Sequence, residues 1–380
     1  MKYRIGRPLS PFFVLVLMSL SFFFRLAYSA GQKIKTENGI PVVYNPKEPV
    51  PAKGAPTKLA LKQDLVIGQE AGDENYMFSA LRSVQVDNEG NIYALDSRET
   101  QIKVFDKEGK HLRTFGKKGQ GPGEIQLALR MYLTPHGQLA IYDSRSRRIG
   151  YYSLTGECLK EIPSAKWNFI WTRVDSRSYI YGDDLLIREK GISEKLLKFD
   201  QELNLVSTIS EVFTEIKPHK VNPMPDRFLY DIMKDNNLIW TFTTKYEIQI
   251  IDPEGKLVRK IIKDYDPVKI TEEDKEKMIR DGYGDKGVPA DISLEFPLNY
   301  PPTYSLLVDD QDRIFIRTSS KDAEGNYYYD VFSPEGIYWL KFTLAAEEIP
   351  MAIKKDKMYC LIQESKAGIP QVKRYTLEWK

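Results

Sequence analysis

The segment Gly90-Asn91-Ile92-Tyr93-Ala94-Leu95-Asp96 returns 47 residues later as Gly137-Gln138-Leu139-Ala140-Ile141-Tyr142-Asp143. A period of this size marks stacked supersecondary units, each too small to bury its own apolar faces. One landmark, an aromatic or aliphatic residue closing a strand before a tight turn, runs through the chain as Phe105, Tyr152, Phe199, Ile251, Phe332 and a degenerate Tyr375. The interval from Ile251 to Phe332 holds one repeat and about 30 inserted residues, so six copies fit.

Inside each copy the period is two. Ser83-Val84-Gln85-Val86-Asp87 and Ile102-Lys103-Val104-Phe105 alternate roughly between apolar and other residues, as strands do. Asp-Asn-Glu-Gly and Asp-Lys-Glu-Gly lie between such runs. The Asp holds the turn's own backbone and the Gly tolerates its last position. Four short strands per copy make one small antiparallel sheet. Six such sheets placed radially cover one another, which predicts an all-β, six-bladed β-propeller.

The two ends of the sequence predict how the ring closes. The sixth copy stops at Lys380 without a fourth strand, while Leu59–Gly68 stands alone and matches the fourth-strand segment Lys110–Gly116. We therefore expect residues 59–68 to complete blade six, which also removes an exposed sheet edge.

Asp87-Asn88-Glu89-Gly90-Asn91-Ile92-Tyr93, Asp96, Ile102-Lys103-Val104-Phe105 and Phe115-Gly116-Lys117-Lys118-Gly119-Gln120-Gly121-Pro122-Gly123-Glu124-Ile125 together resemble an NHL-type repeat of six-bladed β-propellers. Blade one fits well and blade two partly; blades three to six keep the strand spacing but lose the Gly-rich tail. The resemblance implies a fold. It implies no single function, because scaffolds, ligand sensors and a few enzymes share that fold.

Residues 1–29 have the layout of a secretory signal. Lys2, Arg4 and Arg7 precede the apolar run Phe12–Phe24, and Ala27-Tyr28-Ser29 offers small residues at the cleavage site. The run is short for a membrane span. This predicts a periplasmic or extracellular protein without stable membrane insertion after cleavage. Losing residues 1–29 lowers the basic count from 55 to 51 against 53 acidic residues, a balance that excludes a general nucleic-acid binder. Residues 30–58 contain five prolines and read as an extended tether. The propeller is then expected over 59–380, with a helical insertion at 264–300. Thr271 and Asp274 form a capping box there, and Gly282 can end the helix. So polar a helix reads as surface decoration.

Catalytic signals are sparse. His111, His136 and His219 fall at unlike positions, and neither a nucleophile elbow nor a Gly-rich phosphate loop is present. Asp309, Asp310 and Asp312 superficially suggest a metal loop but align with the Asp87–Gly90 turn. Cys158 and Cys360 fall in blades two and six, too far apart to bridge, and read as free, buried thiols. We expect no catalytic residue, no metal ligand and no resident cofactor.

One pattern suggests binding. In the second strands, aligned on Tyr93, Ala140, Tyr181, Trp240, Phe315 and Tyr359, each blade has a basic residue five to seven positions on. These are Arg98, Arg145, Arg188, Lys245, Lys321 and Lys366, and the first two share the triplet Asp-Ser-Arg. Solvated turns explain them; a positive rim for an anionic partner is the functional alternative. The sequence thus reads as an exported, monomeric, non-enzymatic binding or scaffold module for an unknown protein or a small anionic ligand. Its rivals are a lactonase- or lyase-like propeller with a divalent metal in the channel, and a structural subunit of an envelope complex.

Overall fold

The structure is a computed structural model that describes residues 32–380, apart from 165, 189, 190, 218, 366 and 367. The expected signal segment 1–29 lies outside the described residues. Six blades, each built on four antiparallel strands, follow one another around an axis. Blade one comprises Leu81–Val86, Ile92–Asp96, Gln101–Phe105 and His111–Phe115. Blade two comprises Ala128–Leu133, Gln138–Asp143, Arg148–Ser153 and Cys158–Pro163. Blade three is longer, with Phe169–Val174, Ile180–Arg188, Gly191–Phe199 and Leu205–Glu215. Blade four comprises Phe228–Ile232, Leu238–Phe242, Glu247–Ile251 and Leu257–Lys263. Blade five comprises Thr303–Val308, Ile314–Lys321, Tyr327–Phe332 and Tyr338–Leu344.

Blade six closes the ring as the sequence predicts. Its own strands are Glu348–Lys354, Lys357–Ile362 and Gln371–Trp379, and Leu59–Ile67 supplies the fourth. The register runs antiparallel from Val372 opposite Ile67 to Trp379 opposite Leu59. Asp64 fastens the joint by accepting from Lys357 Nζ at 2.5 Å, Arg374 Nε at 2.7 Å and Thr376 Oγ1 at 2.6 Å. Burial opposes its charge, but these three donors outweigh burial and hold the Asp64 carboxyl down at about 2.

Each pair of neighbouring blades shares one apolar cluster. Ile92, Ala94 and Phe105 of blade one pack on Met351, Tyr359 and Leu361 of blade six. Equivalent clusters join blades one to two, two to three, three to four, four to five and five to six. The second-strand residues Tyr93, Ala140, Tyr181, Trp240, Phe315 and Tyr359 are all buried in these seams. The sheets cannot bury both faces alone, so the seams supply the apolar burial that stabilises the ring.

Where first strands lead into second strands, the blades are also joined turn to turn. His136 Nε2 and Ser178 Oγ lie 3.1 Å apart between blades two and three, and Ser176 N donates to Asn236 Oδ1 at 2.9 Å between three and four. Lys234 N donates to Asp312 Oδ1 at 2.9 Å, and Lys355 N to Asp310 Oδ2 at 3.0 Å. Lys355 Nζ reaches Asn88 O in blade one, and Leu133 N donates to Gln85 Oε1 at 3.3 Å between one and two. Asp309, Asp310 and Asp312 are therefore turn residues. Asp309 accepts from Gln311 N and Arg313 N and pairs with the Arg313 side chain, while the other two hold adjoining turns.

Three expectations need correction. The leader is more than a tether. Lys33–Glu37 and Ile40–Asn45 form a hairpin, and Ile40–Asn45 runs parallel to Leu257–Lys263, extending blade four to six strands. Buried Val42 and Val43 drive this docking. Asn45 then ties blade four to blade five, donating to Gly336 O and accepting from Tyr338 N, both at 2.9 Å. The helix, α1 (Glu272–Tyr283), has the predicted capping box but ends at Gly284, where φ is +58°, so Gly282 stays helical. Both cysteines are free, as expected, but Cys158 is only half-buried because it opens an outermost strand.

Candidate binding site on the propeller axis

The first strand of every blade faces the axis, and there all six blades line a cavity of about 230 Å³. Its charged lining consists of Arg130, Arg173, Arg227 and Arg317, set among Trp171, Tyr230 and Tyr304. Arg130 and Arg173 interrupt the apolar pattern of the first strands Ala128–Leu133 and Phe169–Val174. Arg227 immediately precedes the first strand of blade four, and Arg317 comes from the second strand of blade five.

These arginines differ in how they are held. Arg173 is buried and donates through Nε to Asp231 Oδ1 at 2.8 Å. Burial works against its charge, yet the Asp231 carboxylate raises its pKa above the ordinary value. Arg130 lies with its guanidinium carbon 4.2 Å from the Trp171 ring centre and donates to Arg82 O at 3.2 Å. Burial, then repulsion from Arg173, Arg82 and Arg227, pushes it down to about 10. Arg317 is stacked between Tyr327, at 3.9 Å, and Tyr304, at 5.4 Å, and its buried Nε has no hydrogen-bond partner. Among the described residues, Arg130, Arg227 and Arg317 have no carboxylate within ion-pair distance. An arginine fork without a carboxylate is a ready bidentate donor for a carboxylate, phosphate or sulfate.

Two buried carboxyls lie behind the lining, between blades three and four. Asp183 accepts from Trp171 N and the Tyr230 hydroxyl, both at 2.9 Å, and Glu194 accepts from Phe228 N at 2.9 Å. Burial raises Asp183 to about 6 despite these donors. Burial, with the neighbouring Asp183 charge, raises Glu194 to about 7. Among the described residues no group of three or more His, Cys, Asp or Glu side chains is arranged to hold a metal ion. No helix among them is long and apolar enough to cross a membrane.

A second cleft of about 440 Å³ lies under the insertion. Thr271 and Asp274 at the start of α1, and Tyr300, whose side chain bonds Asp274, line it together with Tyr304, Tyr327 and Lys321. The insertion therefore contributes a cavity wall, beyond the decoration expected of it. Tyr304 lines both this cleft and the axial cavity.

The expected rim is less uniform than its spacing suggests. Arg98, Arg145 and Lys245 are exposed in turns between second and third strands, and none of them lines the axial cavity. Arg188 and Lys321 instead end lengthened second strands, because blades three and five continue pairing past the usual turn. The Arg188 side chain and Lys366 lie outside the described residues. The shared Asp-Ser-Arg triplet follows from its Asp. Asp96 accepts from Arg98 N, Glu99 N, Ser79 N and Ala80 N; Asp143 does the same for Arg145 N, Ser146 N, Gln126 N and Leu127 N. These carboxylates pin each turn to the loop entering its blade, so the triplet repeats for a backbone reason. Arg130 and Arg173 carry a sequence signal of their own, an arginine inside a mostly apolar first strand, as in Trp171-Thr172-Arg173-Val174, whereas Arg317 on a second strand and Arg227 ahead of a first strand carry none.

Fold and cavity together define a six-bladed β-propeller with a basic axial site. The chain belongs to the DUF5128 family, described as a 6-bladed β-propeller, which its residues 71–282 match. A Bacteroides fragilis NCTC 9343 protein, assigned by inference as exported, has a similar fold at 11% identity and a TM-score of 0.56, over 89% of this chain and 99% of that one. A DUF4221-family protein of Bacteroides vulgatus ATCC 8482 is similar at 11% identity and a TM-score of 0.53, over 85% and 99%. These likenesses concern the fold alone. No curated protein sequence matches the chain.

Proposed function

We propose that the protein is an exported binding module whose axial cavity holds a small anionic ligand. The observation that carries this is the pair Arg130 and Arg317, both half-buried in the cavity and without a carboxylate partner among the described residues. Burying a guanidinium without a counter-charge is costly, and an incoming anion would offset that cost. At about 230 Å³ the cavity falls below the range usual for drug-sized ligands, which favours one carboxylate-, phosphate- or sulfate-bearing unit. Export is supported by the layout of residues 1–29 and by the fold likeness to the B. fragilis protein assigned as exported. The NHL-type character of the repeat belongs to the same proposal and rests on the residues of blade one.

The test is calorimetric titration of the purified protein with small mono- and dianions at two ionic strengths. Binding that weakens with salt, and that Arg130→Gln with Arg317→Gln abolishes, supports the reading. Binding indifferent to both changes would refute it.

A further inference from the structure

The cleft beneath α1 has chemistry of its own. Its aromatic rings come from Tyr300, Tyr304 and Tyr327, its hydroxyls include Thr271 and Ser320, and Lys321 gives a cation. The Lys321 ammonium lies 4.7 Å from the Tyr327 ring centre. This cleft adjoins the axial cavity. Tyr304 belongs to both spaces, Arg317 lines the axial side, and Tyr327, stacked on Arg317, lines the cleft side.

We infer that the axial cavity and this cleft are consecutive subsites of one groove for an acidic oligosaccharide, an inference that rests on the anion-binding reading above. A sugar ring has an apolar C–H face and a rim of hydroxyls. Tyrosine rings beside serine and threonine hydroxyls match both, and the arginines and Lys321 match carboxylate or sulfate substituents on successive units. The axial cavity alone is too small for more than one unit, whereas the cleft of about 440 Å³ extends it.

An acidic peptide is the alternative that the titration separates: extended peptides dock by adding to a free strand edge, and Ile314–Lys321 pairs with Thr303–Val308 only as far as Thr318.

Titration of the full chain with galacturonic acid, tetragalacturonate, cellotetraose, tetraglutamate and sulfate separates the outcomes. Two engaged subsites should make tetragalacturonate bind about tenfold or more tightly than the monomer. Tyr300→Ala with Lys321→Ala should bring that ratio close to one, and cellotetraose should bind far more weakly. Equal affinity for monomer and tetramer in the unaltered protein, with binding still dependent on Arg130 and Arg317, would overturn the groove and leave the axial anion site standing. Tighter binding of tetraglutamate would replace the saccharide with a peptide. Failure of every anion, sulfate included, at low salt would overturn both readings.

Discussion

Arg173 and Asp231 form the one carboxylate-paired arginine contact of the axial cavity among the described residues, with 2.8 Å from Nε to Oδ1 across the seam between blades three and four. Asp231 Oδ2 also accepts from Val308 N of blade five at 3.1 Å. This arginine is committed to the scaffold. Arg130 and Arg317 have no such partner among the described residues, and the proposed function assigns them to the ligand. Replacing Arg173 should therefore damage stability, and replacing Arg130 or Arg317 should damage binding. Arg173→Gln leaves a buried carboxylate unpaired and should cost about 3 kcal/mol in denaturant unfolding.

The exposed rim should behave differently from the axis. Changing Arg98, Arg145 and Lys245 together to Glu should shift stability by less than about 1 kcal/mol. It should slow association with an anion at low salt while leaving dissociation nearly unchanged. Stopped-flow kinetics at two ionic strengths would check this. A rise in dissociation rate matching that of Arg130→Gln would show that the rim contacts the ligand directly.

Closure gives a graded truncation series. Removing residues 30–58 strips the hairpin from blade four and should lower the melting temperature by about 5 °C, with the ring intact. Removing residues 30–68 bares the edge of blade six and should cause aggregation or a much larger loss. Equal melting temperatures for the two would sink the strand assignment. Asp64→Ala, which leaves Lys357 and Arg374 without their acceptor at an exposed joint, should cost about 1 kcal/mol. Because the folded Asp64 pKa is depressed to about 2, its contribution is complete above about pH 4 and is lost as pH falls toward 2.

Glu194 should act in the opposite sense. Its folded pKa is raised to about 7, so the folded state holds a proton that the unfolded chain has released. Stability should then fall as pH rises from about 5 to about 7, and Glu194→Gln should flatten that slope and stabilise the protein at pH 8 by on the order of 2 kcal/mol. Unfolding curves across this range, with and without the substitution, supply the measurement.

The thiols should titrate in two stages. Cys158 is half-buried and should react slowly in the native protein, whereas Cys360 is fully buried and should react only on unfolding. Mass spectrometry showing a Cys158–Cys360 disulfide would contradict the blade assignment.

The ring was legible because its signals are local and repeated. The Asp87 and Asp106 turns, the landmark residues and the unpaired Leu59–Gly68 segment each state a piece of backbone geometry. The docking of Ile40–Asn45 was hidden because it depends on Ile261 and Tyr338, far away in sequence, and a Pro-rich stretch resembles a linker whether or not it finds a partner. The axial site was hidden for a related reason. Arg130, Arg173 and Arg317 come from three blades and converge only once the ring forms, so no short window of sequence contains the site. The rim residues, by contrast, stood out through a spacing that Asp96 and Asp143 impose for the backbone's sake.

The pairing of Leu59–Ile67 with Gln371–Trp379 also orders events in time. An early segment waits for a partner made some 300 residues later, so blade six stays incomplete through most of synthesis. Until that partner is made, blade six offers Leu59–Ile67 no strand to pair with. The same pairing makes the finished ring a latch, since pulling on either partner strand must break the seam that the other one holds.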